Sequence, residues 1–364
     1  MSPSTAELQL AARRLGFESC GVAAARPLSA GEFFRDWLAA GFFGEMTWLA
    51  RDPVRRTDPR QLLTSCRSVI VVFMSYHSGQ TLPKPTDEMR GRIASYALGQ
   101  DYHSLMLARL NHLRALLQDP SARCYVDTGP VMERAIAAAA GLGWVGKNAN
   151  LIVPNFGSYG FLGVILTGRE LAPTSTVQSV SCGTCTRCLS SCPTSAILAP
   201  GRIDARRCIS YLTVELRGAI PLELRSGLGD WIFGCDACQM VCPWNRRAAL
   251  SQEPAFYPAP GHVFPRLAEW IGLTAEEFAR LFSNSPLKRA KRTGLTRNIA
   301  VALGNLGDPR GIPPLRAAIV DPSPLVRSHA AWALGRLGDS HGLHAAYRDE
   351  QDPATRHAIE QALA

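Results

Sequence analysis

The spacing of the cysteines constrains this chain more than any other feature of its sequence. Seven of the eleven cysteines fall into two runs, Cys182-x2-Cys185-x2-Cys188-x3-Cys192-Pro193 and Cys235-x2-Cys238-x3-Cys242-Pro243, and an eighth, Cys208, lies between them. Short gaps of this kind let one segment offer three thiolates to a cubane, while the cysteine before proline ligates a neighbouring cluster. The pattern predicts two 4Fe-4S clusters, one held by Cys182, Cys185, Cys188 and Cys242, the other by Cys192, Cys208, Cys235 and Cys238.

Two such clusters would make the chain a carrier of single electrons. Zinc is the alternative, because two tetrahedral sites of four thiolates each could use the same residues. It is less favoured, since zinc does not ordinarily use two interleaved runs that each close with Cys-Pro. The three cysteines outside the two predicted cluster sets have apolar neighbours and are expected to be ordinary buried thiols: Cys20, Cys66 and Cys124.

The start of the chain argues against disulfides. It reads MSPSTAELQLAARR, with Glu7, Arg13 and Arg14 where a signal peptide would be apolar. We therefore expect a cytoplasmic protein, in a reducing compartment where clustered cysteines usually serve metals or catalysis. No apolar stretch reaches the roughly 18 residues that a membrane span needs, so no membrane association is expected.

The length and pattern of the chain indicate several domains. With 364 residues and 46% hydrophobic content, it exceeds what one core usually organises. Its first part alternates helical and strand patterns, which predicts an α/β layered domain. The expected division is an α/β domain over 1–175, a ferredoxin-like two-cluster domain over 176–250, a linker and helix over 251–282, and α-helical repeats over 283–364. Buried strands are expected at 20–23, 68–74, 123–126, 151–153 and 161–167.

Asp127 follows one of these strands directly. The segment Tyr125-Val126-Asp127-Thr128-Gly129-Pro130 places its carboxylate at a strand's carboxyl end, where open α/β sheets build their sites. The alternative is that Asp127 caps the alanine-rich helix predicted over 131–140. Position alone does not decide between these two roles. Two glycine-rich segments follow, 141–148 and 156–160; they could form a helix end and hairpin turns or let backbone approach a flat ligand.

A repeat marks the last part of the chain. The sequence ALGNLGD at 302–308 recurs as ALGRLGD at 333–339, a shift of 31 residues, and each copy follows an arginine-led helix. Stacked helical hairpins of this kind form a HEAT-like solenoid. Residues 283–364 carry 11 Lys/Arg against 7 Asp/Glu. Five of the basic residues crowd the start of the solenoid, where they indicate either a phosphate-binding surface or a solvated charged face: Lys288, Arg289, Lys291, Arg292 and Arg297.

Taken together, these pieces resemble one family. The order VDTGPVMERA, GWVGKN, FGSYGFLG, CGTCTRCLSSCPTSAI, RCISYLT, WIFGCDACQMVCPWN and the paired ALGxLGD copies is similar to epoxyqueuosine reductases over nearly the whole chain. The cysteine pattern alone would fit many ferredoxin-like proteins. Its combination with an upstream DTGP and a HEAT-like tail is specific.

The resemblance implies an enzyme that completes queuosine synthesis. It would reduce the epoxide of epoxyqueuosine at the wobble position of tRNAs with a GUN anticodon. The α/β domain would hold cobalamin, two 4Fe-4S clusters would reduce it with electrons from an external low-potential donor, and the helical tail would help to hold tRNA. A monomer is expected.

The resemblance also assigns residues. It places the proton donor at Asp127, which would need burial and few cationic neighbours to stay protonated at neutral pH. Cobalamin is expected base-off, because Met106 stands where the glycine of an Asp-x-His-x-x-Gly ligand loop belongs. The resemblance implies that Asp127 also lies against cobalamin and that Arg56, Tyr102 and His103 contact this cofactor. Arg56 could instead form a surface salt bridge, and Tyr102 and His103 could simply start a helix. The remaining cofactor contacts implied by the resemblance are Lys147, Asn148, Ser158, Ser210 and Asp236.

Two other functions compete with this one. A corrinoid reductive dehalogenase, or a related small-molecule redox enzyme, also joins a corrin-binding layer to two clusters. A non-catalytic electron carrier attached to a protein-binding solenoid is the third possibility. The basic start of the solenoid favours the tRNA enzyme, because a small substrate needs no such surface.

Overall fold

The computed structural model describes residues 3–79, 89–175 and 181–364. The chain divides into two compact units, each built from three segments. The first unit spans Met1–Gln80, Asp101–Asp204 and Ala237–Tyr257, and the second spans Thr81–Gln100, Ala205–Asp236 and Pro258–Ala364. The linear domain division expected from the sequence stays a prediction, because these units are defined by contacts and not by chain order.

Strands are concentrated in the first half of the chain and helices in the second. The helices are α1 (Thr5–Arg14), α2 (Gly31–Ala39), α3 (Pro53–Thr57), α4 (Tyr102–Ala115), α5 (Glu133–Ala139), α6 (Arg187–Ser190), α7 (Ile209–Val214), α8 (Leu222–Arg225), α9 (Ala237–Met240), α10 (Leu267–Trp270), α11 (Ala275–Leu281), α12 (Lys291–Leu306), α13 (Ile312–Ala318), α14 (Pro324–Arg336), α15 (Ser340–Asp349) and α16 (Pro353–Leu363). The strands are β1 (Ser19–Ala24), β2 (Ser68–Ser75), β3 (Arg92–Ile93), β4 (Arg123–Tyr125), β5 (Trp144–Val145), β6 (Leu151–Ile152), β7 (Gly160–Thr167), β8 (Ile197–Ala199), β9 (Arg202–Ile203) and β10 (Trp231–Phe233). Within the described ranges, no helix is long and apolar enough to cross a bilayer.

The first unit is organised around a four-stranded sheet in the order β1-β2-β7-β4. Every neighbouring pair is antiparallel, and β2 pairs with β7 from Ser68↔Thr167 to Ser75↔Gly160. The eight residues of β2 are all buried, which explains its unbroken apolar sequence. Four of the five predicted strands lie in this sheet. The fifth, at Leu151–Ile152, pairs instead with β5 in a separate hairpin.

Helix α5 covers part of this sheet. Its buried residues Ile136 and Ala137 share a core with Val71, Phe73 and Val164. The alanine-rich sequence suits this position, because small helix-forming side chains let a helix lie close to a sheet. This packing also holds the loop that precedes α5, and Asp127 lies in that loop.

The second unit contains the predicted solenoid, in which α12, α14 and α16 are successive packed helices. The repeated Leu-Gly-Asp ends one helix and caps the start of the helical segment that follows. Gly307 and Gly338 follow α12 and α14 in the left-handed region, with φ of 67° and 76°. Asp308 and Asp339 then accept hydrogen bonds from the backbone N–H groups of Arg310 and Gly342. The sequence prediction of helical repeats is confirmed.

Candidate active site and cluster-binding cysteines

Asp127 lies in the loop between β4 and α5, with φ of 58°. Left-handed backbone is uncommon for a residue other than glycine, and it occurs often at functional sites. The N-cap of α5 is Met132, and no side chain caps that helix. Asp127 therefore does not cap α5, which removes one of the two roles considered from the sequence. Its side chain is 68% exposed.

The first turn of α4 holds the Asp127 carboxylate. The Tyr102 hydroxyl donates a hydrogen bond to Asp127 Oδ2 over 2.9 Å, and His103 Nε2 lies 3.6 Å from the same oxygen. The other ring nitrogen of His103, Nδ1, lies 2.7 Å from Asp101 Oδ1. Asp101 also accepts the backbone N–H of His103, and so caps α4. A helix start thus orients an acid–imidazole–acid chain.

This arrangement sets the charge of each member. Burial lowers the pKa of His103, but its hydrogen bond to Asp101 and its contact with the Asp127 carboxylate outweigh burial and raise that pKa to about 9. The contact with His103 is also the largest influence on Asp127, and the net effect lowers the pKa of its carboxyl group. The expected raised pKa of Asp127 is therefore corrected: at neutral pH the proton resides on His103.

An aromatic surface supports the same residues. The Tyr102 ring stacks on His103 with centroids 4.1 Å apart, and on Phe161 with centroids 3.8 Å apart and 9° between planes. Phe161 in turn contacts Tyr76 at 4.7 Å and Phe256 at 5.1 Å. A packed aromatic floor of this kind restricts the motion of Tyr102.

Glu133, in the first turn of α5, is a site residue that sequence reasoning missed. Its Oε1 atom is buried, and no hydrogen-bond partner for it exists in the described part of the chain. Burial raises the pKa of this carboxyl group to about 8, a shift that the Asp127 charge reinforces. The available signal was an acid that follows the apolar pair Val131-Met132 and precedes Arg134 at the start of an alanine-rich helix. An orphaned buried oxygen of this kind is suited to a ligand.

Arg56 is half-buried, and its guanidinium donates to the Trp48 carbonyl over 3.2 Å. Burial lowers the pKa of Arg56, while the nearby Glu133 and Asp52 charges oppose that shift. The Arg56 guanidinium therefore interacts electrostatically with the Glu133 carboxyl group and stays partly accessible. These observations are compatible with its predicted role beside a cofactor.

Three other predicted cofactor residues serve the cysteine runs. The Lys147 ammonium donates to the carbonyls of Gly183 and Cys185 over 2.8 and 2.9 Å, and so holds the first run. Asn148 is buried and lines the cavity of the same run. The buried Ser158 hydroxyl is engaged with Gln239 and Asn245 beside the second run. These contacts position the cysteine runs, and the predicted corrin contacts of the three residues stay predictions.

Glycines of the two glycine-rich segments, 141–148 and 156–160, are also explained by contacts within the protein. A Cβ on Gly143 would lie 2.0 Å from the Ile152 carbonyl oxygen, and one on Gly157 would lie 2.1 Å from Asn245 Oδ1. Gly157 also has φ of 65°. Close internal packing therefore explains these glycines without a flat ligand.

The first predicted cysteine set converges in the first unit. Cys182, Cys185, Cys188 and Cys242 line one cavity, together with Lys147, Asn148, Ile152, Arg187, Pro243 and Trp244. Burial is the main influence that raises the pKa of Cys188 and Cys242, and the neighbouring thiol groups add to it. Several thiolates in one place require a compensating positive charge, which iron supplies. The donor set fits a cubane.

The second predicted cysteine set has members in both units. In the first unit, the Cys192 sulfur accepts the backbone N–H of Ala196 over 3.2 Å, and Cys238 lies in α9. In the second unit, Cys208 is the N-cap residue of α7, and Cys235 follows β10. All four are partly accessible.

The last two predicted cofactor contacts are Asp236 and Ser210, and three cysteines lie outside the cluster sets. In the second unit, Asp236 is buried and accepts hydrogen bonds from the backbone and hydroxyl of Ser95 over 2.6 and 2.7 Å. Ser210 lies in α7 and is half-buried. Burial raises the pKa of Cys20 to about 12 and of Cys66 and Cys124 to about 11, which suits unreactive thiols.

The basic residues at the start of the solenoid differ in accessibility. Lys288, Arg289 and Lys291 are exposed, but Arg289 binds Glu215 through both Nε and Nη2. Arg292 is half-buried and ion-paired with Asp321. Arg297 is fully buried, and its guanidinium donates to the carbonyls of Leu212, Leu216 and Gly218. Arg297 cannot meet a phosphate, so its predicted tRNA contact is corrected to a structural role.

Three parts of the chain match the models of known protein families. Residues 181–245 match a 4Fe-4S double cluster binding domain, and residues 287–364 match HEAT repeats. The chain is thus an iron–sulfur redox protein with a helical solenoid. Residues 56–128 match a family described as epoxyqueuosine reductase QueG, DUF1730.

Similar proteins narrow the class further. The chain is 41% identical over 343 residues to an epoxyqueuosine reductase of Xanthomonas campestris pv. campestris, covering 92% of this chain and 96% of that protein. It is 42% identical over 340 residues to the enzyme of that name from Pseudomonas aeruginosa, covering 90% and 93%. A crystal structure of an epoxyqueuosine reductase with an epoxyqueuosine-modified tRNA-Tyr stem loop superposes with a TM-score of 0.90, 30% identity, and coverage of 98% and 97%. The chain belongs to the epoxyqueuosine reductase family, which confirms the resemblance stated from the sequence.

Proposed function

We propose that this protein reduces epoxyqueuosine in tRNA to queuosine, with cobalamin as the site of reduction and two 4Fe-4S clusters as its electron source. The observation that carries the proposal is the Asp127 carboxylate, held by Tyr102 and His103 in a chain whose relatives of this name match over nine-tenths of its length. Family membership favours this reaction over the two alternatives, reductive dehalogenation and non-catalytic electron transfer.

The reaction requires two electrons and two protons for each epoxide, and it releases one water and leaves one double bond. Cobalamin, when bound, supplies a low-potential metal that delivers the electrons. As charge develops on the departing oxygen, a positioned acid must neutralise it. His103 holds a proton at neutral pH, and Asp127 shares that proton while projecting into the accessible site. Asp127 would therefore hand the proton on, and His103 would replenish it.

The residues present fit cobalamin. Its periphery is rich in amide groups, and the Glu133 oxygen offers a buried partner that the described residues leave unmatched. Arg56 lies in the same charged neighbourhood and is partly accessible. Tyr102 and His103 would then serve the substrate side, where they touch Asp127.

The substrate class would be tRNA with a GUN anticodon, and the exposed basic residues of the solenoid would contact its phosphates. Lys288 and Lys291 are accessible for this purpose, whereas Arg289 is held by Glu215 and Arg292 is committed to Asp321. Phosphate contacts supply sequence-independent affinity and position the substrate. Base recognition near the wobble nucleotide would then fall to the active-site loops.

Asp127→Asn tests the proposed proton transfer. The variant keeps the shape of the side chain but cannot carry the proton, so turnover of epoxyqueuosine-containing tRNA should fall by about 10²-fold or more. Turnover is measured anaerobically by nucleoside mass spectrometry, with cluster and cobalamin absorbance as the folding check. Asp36→Asn, at an exposed position on α2, is the matched control. Full activity in Asp127→Asn would refute the donor role.

A further inference from the structure

A basic surface surrounds the first cysteine set. Three segments of the first unit, 141–160, 181–203 and 237–252, contain Lys147, Arg187, Arg202, Arg246 and Arg247 and no Asp or Glu. These segments include all four cysteines of that set and all the residues that line its cavity. The three segments therefore carry five basic residues and no acidic residue, although the chain as a whole contains 30 Asp and Glu.

The position of the charges is as informative as their number. Arg187 lines the cysteine cavity, and Arg246 and Arg247 follow Cys242 by four and five residues; all three are exposed. The Lys147 ammonium lies directly on the loop that carries Cys182 and Cys185. An approaching anionic partner would be guided to the cysteines themselves.

Exposed apolar side chains lie within this basic surface. Trp244 lines the cavity and is 37% exposed, and its ring meets the Trp144 ring edge-on at 4.8 Å. Val145, next to Trp144, is 43% exposed. An aromatic residue among arginines is typical of protein interfaces, and transient redox encounters use small ones. We call the exposed residues Val145, Arg187, Trp244, Arg246 and Arg247 the basic docking surface.

Resting on the proposed function, we propose that an acidic electron-transfer protein with a low-potential flavin or iron–sulfur group binds the basic docking surface. It delivers electrons to the cluster held by Cys182, Cys185, Cys188 and Cys242. Each encounter oxidises the donor by one electron and reduces the cluster by one electron, so two encounters supply one epoxide reduction. Cys182, Cys185 and Cys188 are partly accessible, which allows a close approach. Nucleic acid is the weaker occupant, because a phosphate backbone gains nothing from adjacency to a redox centre.

The test is reversal of two charges, Arg246→Glu with Arg247→Glu, in the reconstituted protein. The probe is a purified acidic flavodoxin. Its oxidised form is used for binding by biolayer interferometry, and its reduced form for anaerobic stopped-flow reduction of the clusters. We expect both the affinity and the reduction rate to fall about tenfold or more at low ionic strength, and the difference to shrink as salt is added. Reduced methyl viologen, a cation, should reduce the variant at least as fast as the native protein.

The matched control is Arg13→Glu with Arg14→Glu on α1. Both residues are exposed, the net charge changes equally, and neither lines the cysteine cavity. Flavodoxin binding and reduction that are unchanged in the Arg246/Arg247 variant, or equally weakened in the control, would overturn the proposal. A loss of tRNA affinity alone would assign the surface to RNA and also overturn it. These measurements follow binding and cluster reduction, so they remain valid even if the protein fails to reduce epoxyqueuosine.

Discussion

At the scale of single residues, the proposed proton transfer depends on the contact between His103 and Asp127. His103 lies between two carboxylates, and its pKa is raised from 6.5 to about 9 because both acids favour the imidazolium. By the same contact, the pKa of Asp127 is lowered. In the proposed reaction, the acid that the substrate meets is therefore a pair of groups, and its proton is lost only when His103 titrates.

The pH dependence of turnover follows from this pairing. His103 is fully charged below its ordinary pKa, and the pair loses its proton as the pH rises through about 9. Single-turnover rates of pre-reduced enzyme should therefore fall above about pH 9. In His103→Gln the lowering contact on Asp127 disappears and the reserve proton is absent, so the decline should begin at a lower pH. His112→Gln, exposed on the same helix, is the control. Identical profiles for all three proteins would contradict the role of His103.

Sequence patterns pointed to Asp127 and the cysteines more directly than to the residues that support them. Asp127 and the cysteines could be proposed because their spacing and neighbours carry chemical information along the chain. Ser158 and Arg297 could not, because their partners at Asn245 and Leu216 lie far away in sequence. A serine in a glycine-rich loop and an arginine in a basic run have the same local appearance whether they meet solvent, ligand or protein.

At the scale of helices and strands, continuous apolar runs predicted the strand positions correctly, since β2 and β7 are buried over almost their whole length. The antiparallel pairing could not be predicted, because strand order depends on contacts between distant segments. Asp127 was expected at a functional site because it follows the carboxyl end of a strand, a rule that holds for parallel sheets. That reason does not apply here, since β4 pairs with β7 in the antiparallel direction. Its loop is instead fixed by α4 and α5.

The solenoid repeat contains a packing requirement that the sequence showed but did not explain. Gly304 and Gly335 occupy equivalent places in the two ALGxLGD copies. A Cβ on Gly304 would lie 2.9 Å from the Ala333 Cα, and one on Gly335 would lie 2.7 Å from the Ala362 carbonyl oxygen. Glycine thus lets each helix approach the next repeat closely, which explains why it recurs in a helix despite its low propensity.

Gly304→Ala tests this requirement. Overpacking against backbone costs about 1–3 kcal/mol, which exceeds the helix propensity gained, so the midpoint of thermal unfolding should fall. Gly294→Ala in the same helix is the control, because its Cβ would meet only the Ala290 Cβ at an ordinary 3.7 Å. That change should leave the midpoint unchanged or raise it. Far-UV circular dichroism measures both. Equal stabilisation by the two substitutions would show that Gly304 has no packing role.

At the scale of the whole molecule, motif order predicted the architecture, because each motif belongs to one kind of local structure. The assembly of each compact unit from three segments could not be predicted, since it depends on which distant segments pack together. The formal net charge of +9 suits two anionic partners, a nucleic acid and an acidic redox protein. Their proposed contacts lie in different units, so each can be altered alone.

The salt dependence of tRNA binding distinguishes exposed from neutralised charges. Removal of one phosphate contact should reduce the slope of log K against log salt by about 0.7–0.9. Lys291 is exposed, so Lys291→Gln should flatten the slope by about this amount. Arg289 is held by the Glu215 carboxylate over 2.7 Å, so Arg289→Gln should change the slope much less. Both variants remove one positive charge, which makes them a matched pair. Fluorescence anisotropy with a tRNA anticodon stem loop from about 50 to about 200 mM salt measures the slopes. Equal slopes in both variants would mean that net charge alone, and not an accessible phosphate contact at the start of the solenoid, governs the binding.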